Sequence, residues 1–411
     1  MTDGRYAASQ ALLERARRVV PGGIYGHTAP QLLVPGAFPY FFERADGAHI
    51  WDVDGNEYID LLCSYGPIVL GHNHPKVDEA AARRAAKGRL MNGPGPEWVT
   101  LAERLVGLVP WAHWAVFAKN GSEICTWSLQ VARAATGRRV ILAAKGAYHG
   151  VHPWCTPARD GVTRADRTDV AHYTYNDLDS VDAALAAHEG EVAAIIVTPF
   201  RHESFADQEL PAPGFLAGLR ARCDRLGAVL VLDDVRCGFR LALGGSGEHF
   251  GVRPDLACYS KAIANGHPLS AVVGTDALRD AAQRVFFTGT YWVSPVEMAA
   301  ALACLDELEA SGAVEVMRIR GEALRDGMTA QAAACRLPVR YTGPPAIPFM
   351  TFVDDAGSFE RSRRFAAACA ARGVYLHPHH NWFTCAALTE TDVRRTLDVT
   401  EAAFREVAGR V

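Results

Sequence analysis

The sequence predicts an α/β protein with a mostly parallel sheet flanked by helices. Two apolar runs carry that expectation, Ala193-Ala194-Ile195-Ile196-Val197 and Ala228-Val229-Leu230-Val231-Leu232. Runs of this kind suit strands buried on both faces. Helix-length amphipathic segments separate them between about Pro96 and Arg284, which is the alternation expected of parallel strands joined by crossover helices. In such a sheet the ligand lies beyond the carboxyl ends of the strands.

The remaining elements follow in chain order. Gln10 to Val20 has helical character and stops at the breakers Pro21-Gly22-Gly23. From Tyr40 to Leu62 apolar and polar residues alternate around Asp54-Gly55, a hairpin signal that places a small β unit near the N-terminus. After Pro295 an Ala-rich helical stretch runs through Glu309-Ala310-Ser311-Gly312 into a final α+β segment. The expected division is an N-terminal segment 1–75, a large domain 76–315 and a C-terminal α+β domain 316–411. No internal repeat or low-complexity tract interrupts it.

With 411 residues and 49% hydrophobic content the chain can fill a sizeable core. A net charge of −4 and the lack of a basic patch give no reason to expect nucleic acid or an anionic membrane as partner. The polar Met1–Gln10 stretch has no signal-peptide core, and no apolar run reaches the ~20 residues that span a bilayer, so the expected location is the cytoplasm. Ten cysteines, with no CxxC pair, read as reduced thiols rather than as disulfides or a zinc site. His377-Pro378-His379-His380 is interrupted by proline and has no further ligand at metal spacing, so no metal is expected.

Chemistry concentrates at the strand ends. Val229–Leu232 runs into Asp233-Asp234, although an aspartate there serves equally as a helix cap or turn residue. Asp255–Ser260 delivers Lys261 among apolar and small neighbours. That lysine either snorkels to water or is a desolvated amine with a lowered pKa, fit to form an imine. Lys119-Asn120-Gly121-Ser122-Glu123 puts a small hydroxyl-bearing turn before a helix, either a phosphate cradle or a plain N-cap. Tyr148-His149-Gly150 offers a ring for a flat heterocycle, and Gly289-Thr290 is a second small donor-bearing turn.

These pieces, in this order, resemble the class III aminotransferases of pyridoxal-5′-phosphate (PLP) fold type I, in particular their glutamate-1-semialdehyde aminomutase-like branch. The resemblance runs from Pro21-Gly22-Gly23 through Trp51–Asp60, Gly66-Pro67, Gly71–Pro75, Asn120–Glu123, Tyr148–Gly150, Asp233–Arg240 and Ser260-Lys261 to Gly289-Thr290. It implies a seven-stranded, mostly parallel sheet, with a small domain made from both chain ends. Lys261 would be the Schiff-base lysine and proton shuttle, and Asp233 the partner of the pyridine nitrogen. Gly121 and Ser122 would hold the phosphate, Tyr148 and His149 would meet the cofactor, and Thr290 would reach the phosphate of a neighbouring subunit. A homodimer with active sites at its interface follows, acting on small amines and carbonyl compounds.

Departures from the family pattern fall on the substrate side. Thr198 stands where the family commonly has Glu, and Arg201 and His202 either compensate for it or are solvated loop residues. Asp234 replaces the more usual Glu, and Ser294-Pro295 an Asn-Pro pair. No arginine follows Pro-Gly-Gly near Ala29, which weakens the case for glutamate semialdehyde as substrate. Tyr25, His27, Trp292, His379, His380 and Trp382 either hint at a substrate with an apolar or aromatic portion or pack against one another at the dimer interface. The resulting expectation is an aminotransferase working through a Lys261 aldimine. An intramolecular aminomutase, an amino-acid racemase or epimerase, and a catalytically silent protein of the same fold are the alternatives.

Overall fold

A computed structural model describes residues 4–355 and 357–409. It resolves into two compact units, one formed by 1–74, 204–208 and 315–411, the other by 75–203 and 209–314. In the first unit, α1 (Ala7–Ala16) is followed by β1 (Phe42–Asp46), β2 (His49–Asp52) and β3 (Glu57–Asp60). The helix lies three residues N-terminal of its expected start. Asp54, far along the chain, accepts from the Ala8 N–H at 2.6 Å and the Ser9 N–H at 2.9 Å, and so caps the first turn from outside.

The second unit contains α2 (Pro75–Ala85), α3 (Glu97–Leu108), β4 (Trp114–Ala118), α4 (Gly121–Thr136), β5 (Val140–Ala144), β6 (Val170–Tyr173), α5 (Leu178–Ala187) and β7 (Val192–Val197). It continues with α6 (Phe215–Leu226), β8 (Val229–Asp233), α7 (Ser246–His249), β9 (Leu256–Tyr259), β10 (Ser270–Gly274), α8 (Arg279–Arg284) and α9 (Pro295–Ser311). The chain then returns to the first unit with α10 (Ala313–Ala334), β11 (Val339–Thr342), β12 (Phe349–Phe352), α11 (Glu360–Ala370), β13 (Val374–Tyr375) and α12 (Glu390–Ala408).

The sheet of the second unit has seven strands in the order β4-β10-β9-β8-β7-β5-β6, with only β10 antiparallel to its neighbours. Every residue of β5, β7, β8, β9 and β10 is buried. This explains the continuous apolar runs, since neither face of these strands meets water. Ile124, Trp127 and Val131 of α4 pack into the same core as Ile141, Ile196, Val231 and Val272. Burial of that core is what fixes the sheet, and with it the positions of the strand ends.

In the first unit the order is β1-β2-β3-β13, with β13 parallel to β3. The turn between β2 and β3 is organised by one buried carboxylate. Asp52 accepts from the N–H groups of Asp54 (3.0 Å) and Asn56 (2.8 Å), from the Asn56 side chain (2.9 Å) and from the Tyr58 hydroxyl (2.6 Å). Asp60 similarly accepts from the Leu62 and Cys63 N–H groups and pairs with His72 at 2.9 Å. The acids of the Trp51–Asp60 run therefore build scaffold.

Asp52→Ala strands several buried donors at once, and the expected cost is ~3 kcal/mol. Thermal unfolding should show a lowered Tm. Hydrogen exchange should locate the loosened amides at Val53–Tyr58.

Candidate active site

Five strand ends feed one pocket, contained wholly in the second unit. It has a volume of about 480 Å³ and is lined by residues that follow β4, β5, β7, β8 and β9. From β4 come Asn120, Gly121 and Ser122; from β5, Tyr148 and His149; from β7, His202. Asp233, Val235 and Arg236 come from β8, and Lys261 from the segment after β9. Parallel strands all present their carboxyl ends on one side, so residues far apart in sequence meet there.

At the β4 end, the Glu123 carboxylate turns back to accept from the N–H groups of Lys119 and Asn120, each at 2.9 Å. The N-cap of α4 is Asn120, so Ser122 lies inside the first turn and is not a plain cap. Its Oγ accepts from the Val151 N–H at 3.1 Å. Gly121 has to be small, because a Cβ would lie 2.9 Å from Val235 Cγ1. Gly150 has φ +123°, and a Cβ there would run into Ser122. The free N–H groups and dipole of this 16-residue helix make its start a ready anion cradle.

Asp233 is buried, and its Oδ2 meets His149 Nδ1 at 2.7 Å while Oδ1 accepts from the Val235 N–H at 3.2 Å. The indole of Trp154 lies parallel to the His149 ring, centroids 5.9 Å apart. Asp234, the next residue, is engaged elsewhere: Oδ2 accepts from the Ser246 N–H at 2.7 Å and Oδ1 pairs with the Ser246 hydroxyl. Burial pushes the Asp234 carboxyl up to about 7. The doublet at the end of β8 thus splits into one acid for the pocket and one for the fold.

Lys261 has a left-handed backbone, φ +48°, a conformation that costs a side-chain-bearing residue roughly 1–2 kcal/mol. Burial, reinforced by the charge of Arg236, brings its amine down to about 8, while Asp233 pulls the other way. The lysine is a desolvated amine, not a snorkelling one. Tyr148 is 39% exposed, open towards the pocket.

The ambiguity at Arg201-His202 separates residue by residue. Arg201 is half-exposed and pairs with Glu203 at 2.9 Å and Glu209 at 3.5 Å. His202 is buried and lines the pocket. Arg236, to which the sequence reading gave no role, lines it too. Its signal was an arginine within a string, Val235 to Phe239, of otherwise apolar or small residues.

Other expected residues fall outside the pocket. Thr290 is exposed and does not line it. Trp292 packs on Phe287 against the core beside Trp127, and Tyr25 is exposed. In the first unit His27 packs against Tyr65 and His380, His379 stacks on Phe205, and Trp382 packs against Phe349. Of the six, His27 and His380 meet each other, while Trp292, His379 and Trp382 pack on other aromatic side chains, which buries their apolar surface. No disulfide joins any of the ten cysteines among the described residues. Among the described residues, no cluster of His, Cys, Asp and Glu could hold a metal, and no helix is long and apolar enough to cross a membrane.

The family model of the class III aminotransferases matches residues 34–394. The chain belongs to this family. An aminopentol aminotransferase of Sphingopyxis macrogoltabida is 48% identical over 396 residues, which is 96% of this chain and 93% of that relative. A 3-aminobutyryl-CoA aminotransferase of Cloacimonas acidaminovorans is 34% identical over 407 residues, 98% of each. The solved PLP internal aldimine form of the FumI protein of Sphingopyxis sp. MTA144 has a TM-score of 0.96 at 47% identity, covering 98% of this chain and 96% of that one. A glutamate-1-semialdehyde aminomutase of Pseudomonas aeruginosa PAO1, at 23% identity and TM-score 0.89, shares the fold.

The protein is thus a PLP-dependent aminotransferase of fold type I. Its pocket suits that cofactor: an anion cradle, a buried carboxylate and a desolvated amine converge on a space large enough for a heterocycle and a substrate. The aminotransferase should betray the amine by its pH dependence. In the cofactor-free protein, acylation of Lys261 by a small anhydride such as acetic anhydride, with release of the carboxylate, should rise through pH 8, where an ordinary lysine requires ~10.4. Peptide mapping of the modified site at stepped pH measures it.

Proposed function

We propose that the enzyme takes its amino group from an amine whose amine-bearing carbon carries no carboxylate, with Lys261 and Asp233 as its catalytic residues. The observation that carries the residue roles is the convergence of the lowered amine and the buried carboxylate on one pocket. Lys261 Nζ would be the amine that holds the cofactor and the group that moves a proton at the substrate carbon. Asp233, oriented by His149, would hold the pyridine N–H. Gly121 and Ser122, at the N-terminus of α4, would hold the phosphate, with Tyr148 beside them in the pocket lining. When bound, the cofactor supplies an electron sink for the pair left by the departing proton.

Two features support the donor class. The relatives' names, aminopentol and 3-aminobutyryl-CoA aminotransferase, both describe amines without a free carboxylate beside the nitrogen. The stretch Ile24–Ala29 likewise offers no arginine for such a carboxylate.

The working form we propose is a homodimer, in which Thr290 reaches the phosphate of the neighbouring active site. Around Thr290 the surface is apolar: Phe286 is 86% and Tyr291 65% exposed, and Leu90 and Met91 lie on a segment tied to Ser294 through the Arg89 carbonyl at 3.0 Å. Exposed apolar groups of this kind mark an interface. Ten cysteines without a disulfide among the described residues suit a reducing compartment, the cytoplasm.

Purified enzyme with PLP should show an imine absorbance band that Lys261→Ala abolishes. Asp233→Ala should retain some cofactor yet lose at least ~10³-fold in the half-reaction, read as bleaching of that band. Amino-polyols and 3-amino thioesters should bleach it faster than α-amino acids, and the reverse order would sink the donor assignment. Strict refusal of every external acceptor would mark an aminomutase instead. Phe286→Asp with Tyr291→Asp should yield monomers of weakened PLP affinity in sedimentation and cofactor titration.

A further inference from the structure

A second cavity lies behind the cofactor pocket, on the other side of His149. It has a volume of about 340 Å³ and is built from the end of β5, the loop that follows it, and β6. His149 lines both spaces. Its Nδ1 is committed to Asp233 at 2.7 Å, and Trp154, stacked on the ring, also lines the second cavity. The opposite edge of the ring, Nε2, therefore points away from Asp233 and into that cavity. His149 is 3% exposed, and this nitrogen meets no hydrogen-bond partner among the described residues. A buried polar atom of this kind costs free energy until something in the cavity meets it.

The charged groups around the cavity are all of one sign. Lys145, Arg159 and Arg167 line it, and no carboxylate does. Of the acids in the loop, Asp166 accepts from the Thr163 N–H and hydroxyl, each at 2.8 Å, Asp169 pairs with Arg139, and Asp160 is exposed outside the lining. Arg167 is pinned by the loop backbone, its Nε donating to the Pro153 carbonyl at 3.0 Å and its Nη2 to the Thr156 carbonyl. The guanidinium is thus oriented before any ligand arrives, with Nη1 left over. The three cations also converge on His172 in the lining. Partial burial and the charges of Arg167, Arg159 and Lys145 hold that imidazole below its ordinary range, against the pull of a backbone bond at Ala143. Burial pushes the Cys155 thiol of the same wall up to about 12, so it adds no negative charge.

Three cations and one imidazole edge around a single space suit a tetrahedral oxyanion, whose oxygens can be met from several directions. Phosphate suits the Nε2 edge in either state of the ring: its P–OH donates to a neutral imidazole, and its other oxygens accept from a protonated one. We propose that this cavity is a second anion site, separate from the cradle at α4, and that it takes phosphate, free or as the monoester end of a small molecule. The occupant touches the imidazole that holds Asp233, on the edge away from that carboxylate. Binding there involves no covalent step.

The test is isothermal titration calorimetry on the holoenzyme, whose α4 cradle is filled by PLP, at fixed pH and ionic strength. Sodium phosphate should give a saturable heat and sodium chloride none. Lys145→Gln combined with Arg159→Gln should weaken phosphate at least ~10-fold. The cofactor absorbance and Tm should stay as in the wild type, since both side chains are exposed and neither lines the cofactor pocket. Glycerol 3-phosphate separates the two sources: tighter binding than phosphate means that the cavity also holds an organic part, and equal or weaker binding means that it takes the free ion. Heats that do not saturate, or a saturation that the double variant leaves unchanged, would overturn the site. Release of PLP on adding phosphate, with loss of the absorbance band, would overturn it too, because the anion would then be occupying the α4 cradle.

Discussion

A carboxylate held at the end of a strand with no water on either face is the constraint around which the second unit is organised. Leaving Asp233 charged there requires partners, and the structure supplies His149 from β5 and the Val235 N–H. Those partners bring two strand ends into register. The same turn places Val235 against Gly121, which ties in the start of α4. Side chains alternate along β8, so Asp234 faces away and spends its oxygens on Ser246. One acid organises chemistry and its neighbour organises fold, from adjacent positions.

Burial disfavours the charged forms of Lys261, His202 and Arg236, and the consequences differ by residue. The Lys261 amine becomes easier to deprotonate, His202 stays neutral, and Arg236 remains a cation because no burial of this degree neutralises a guanidinium. The amine is thereby reactive near neutrality while a permanent positive charge persists a short way along the wall.

Much of this was legible in the sequence, and the part that was not has definite causes. The apolar runs identified β7 and β8 because strands buried on both faces need no polar residue along their length, and runs this short suit strands better than helices. Asp54-Gly55 marked the β2–β3 turn through purely local geometry. The start of α1 escaped because its cap is Asp54, remote in sequence. Arg201 and His202 are neighbours with similar composition around them, and only the antiparallel bridge between Arg201 and Glu209 sends one outward and the other inward. Trp292 looked like a site residue by its proximity to Thr290, yet an indole of that size found more apolar area to cover beside Phe287 and Trp127.

Ser122 has one hydrogen to give, and its oxygen already receives the Val151 N–H. Gly150 leaves no slack between them. The one hydroxyl therefore serves two sides at once: Ser122→Ala would take a donor from the pocket and leave the Val151 N–H without its acceptor.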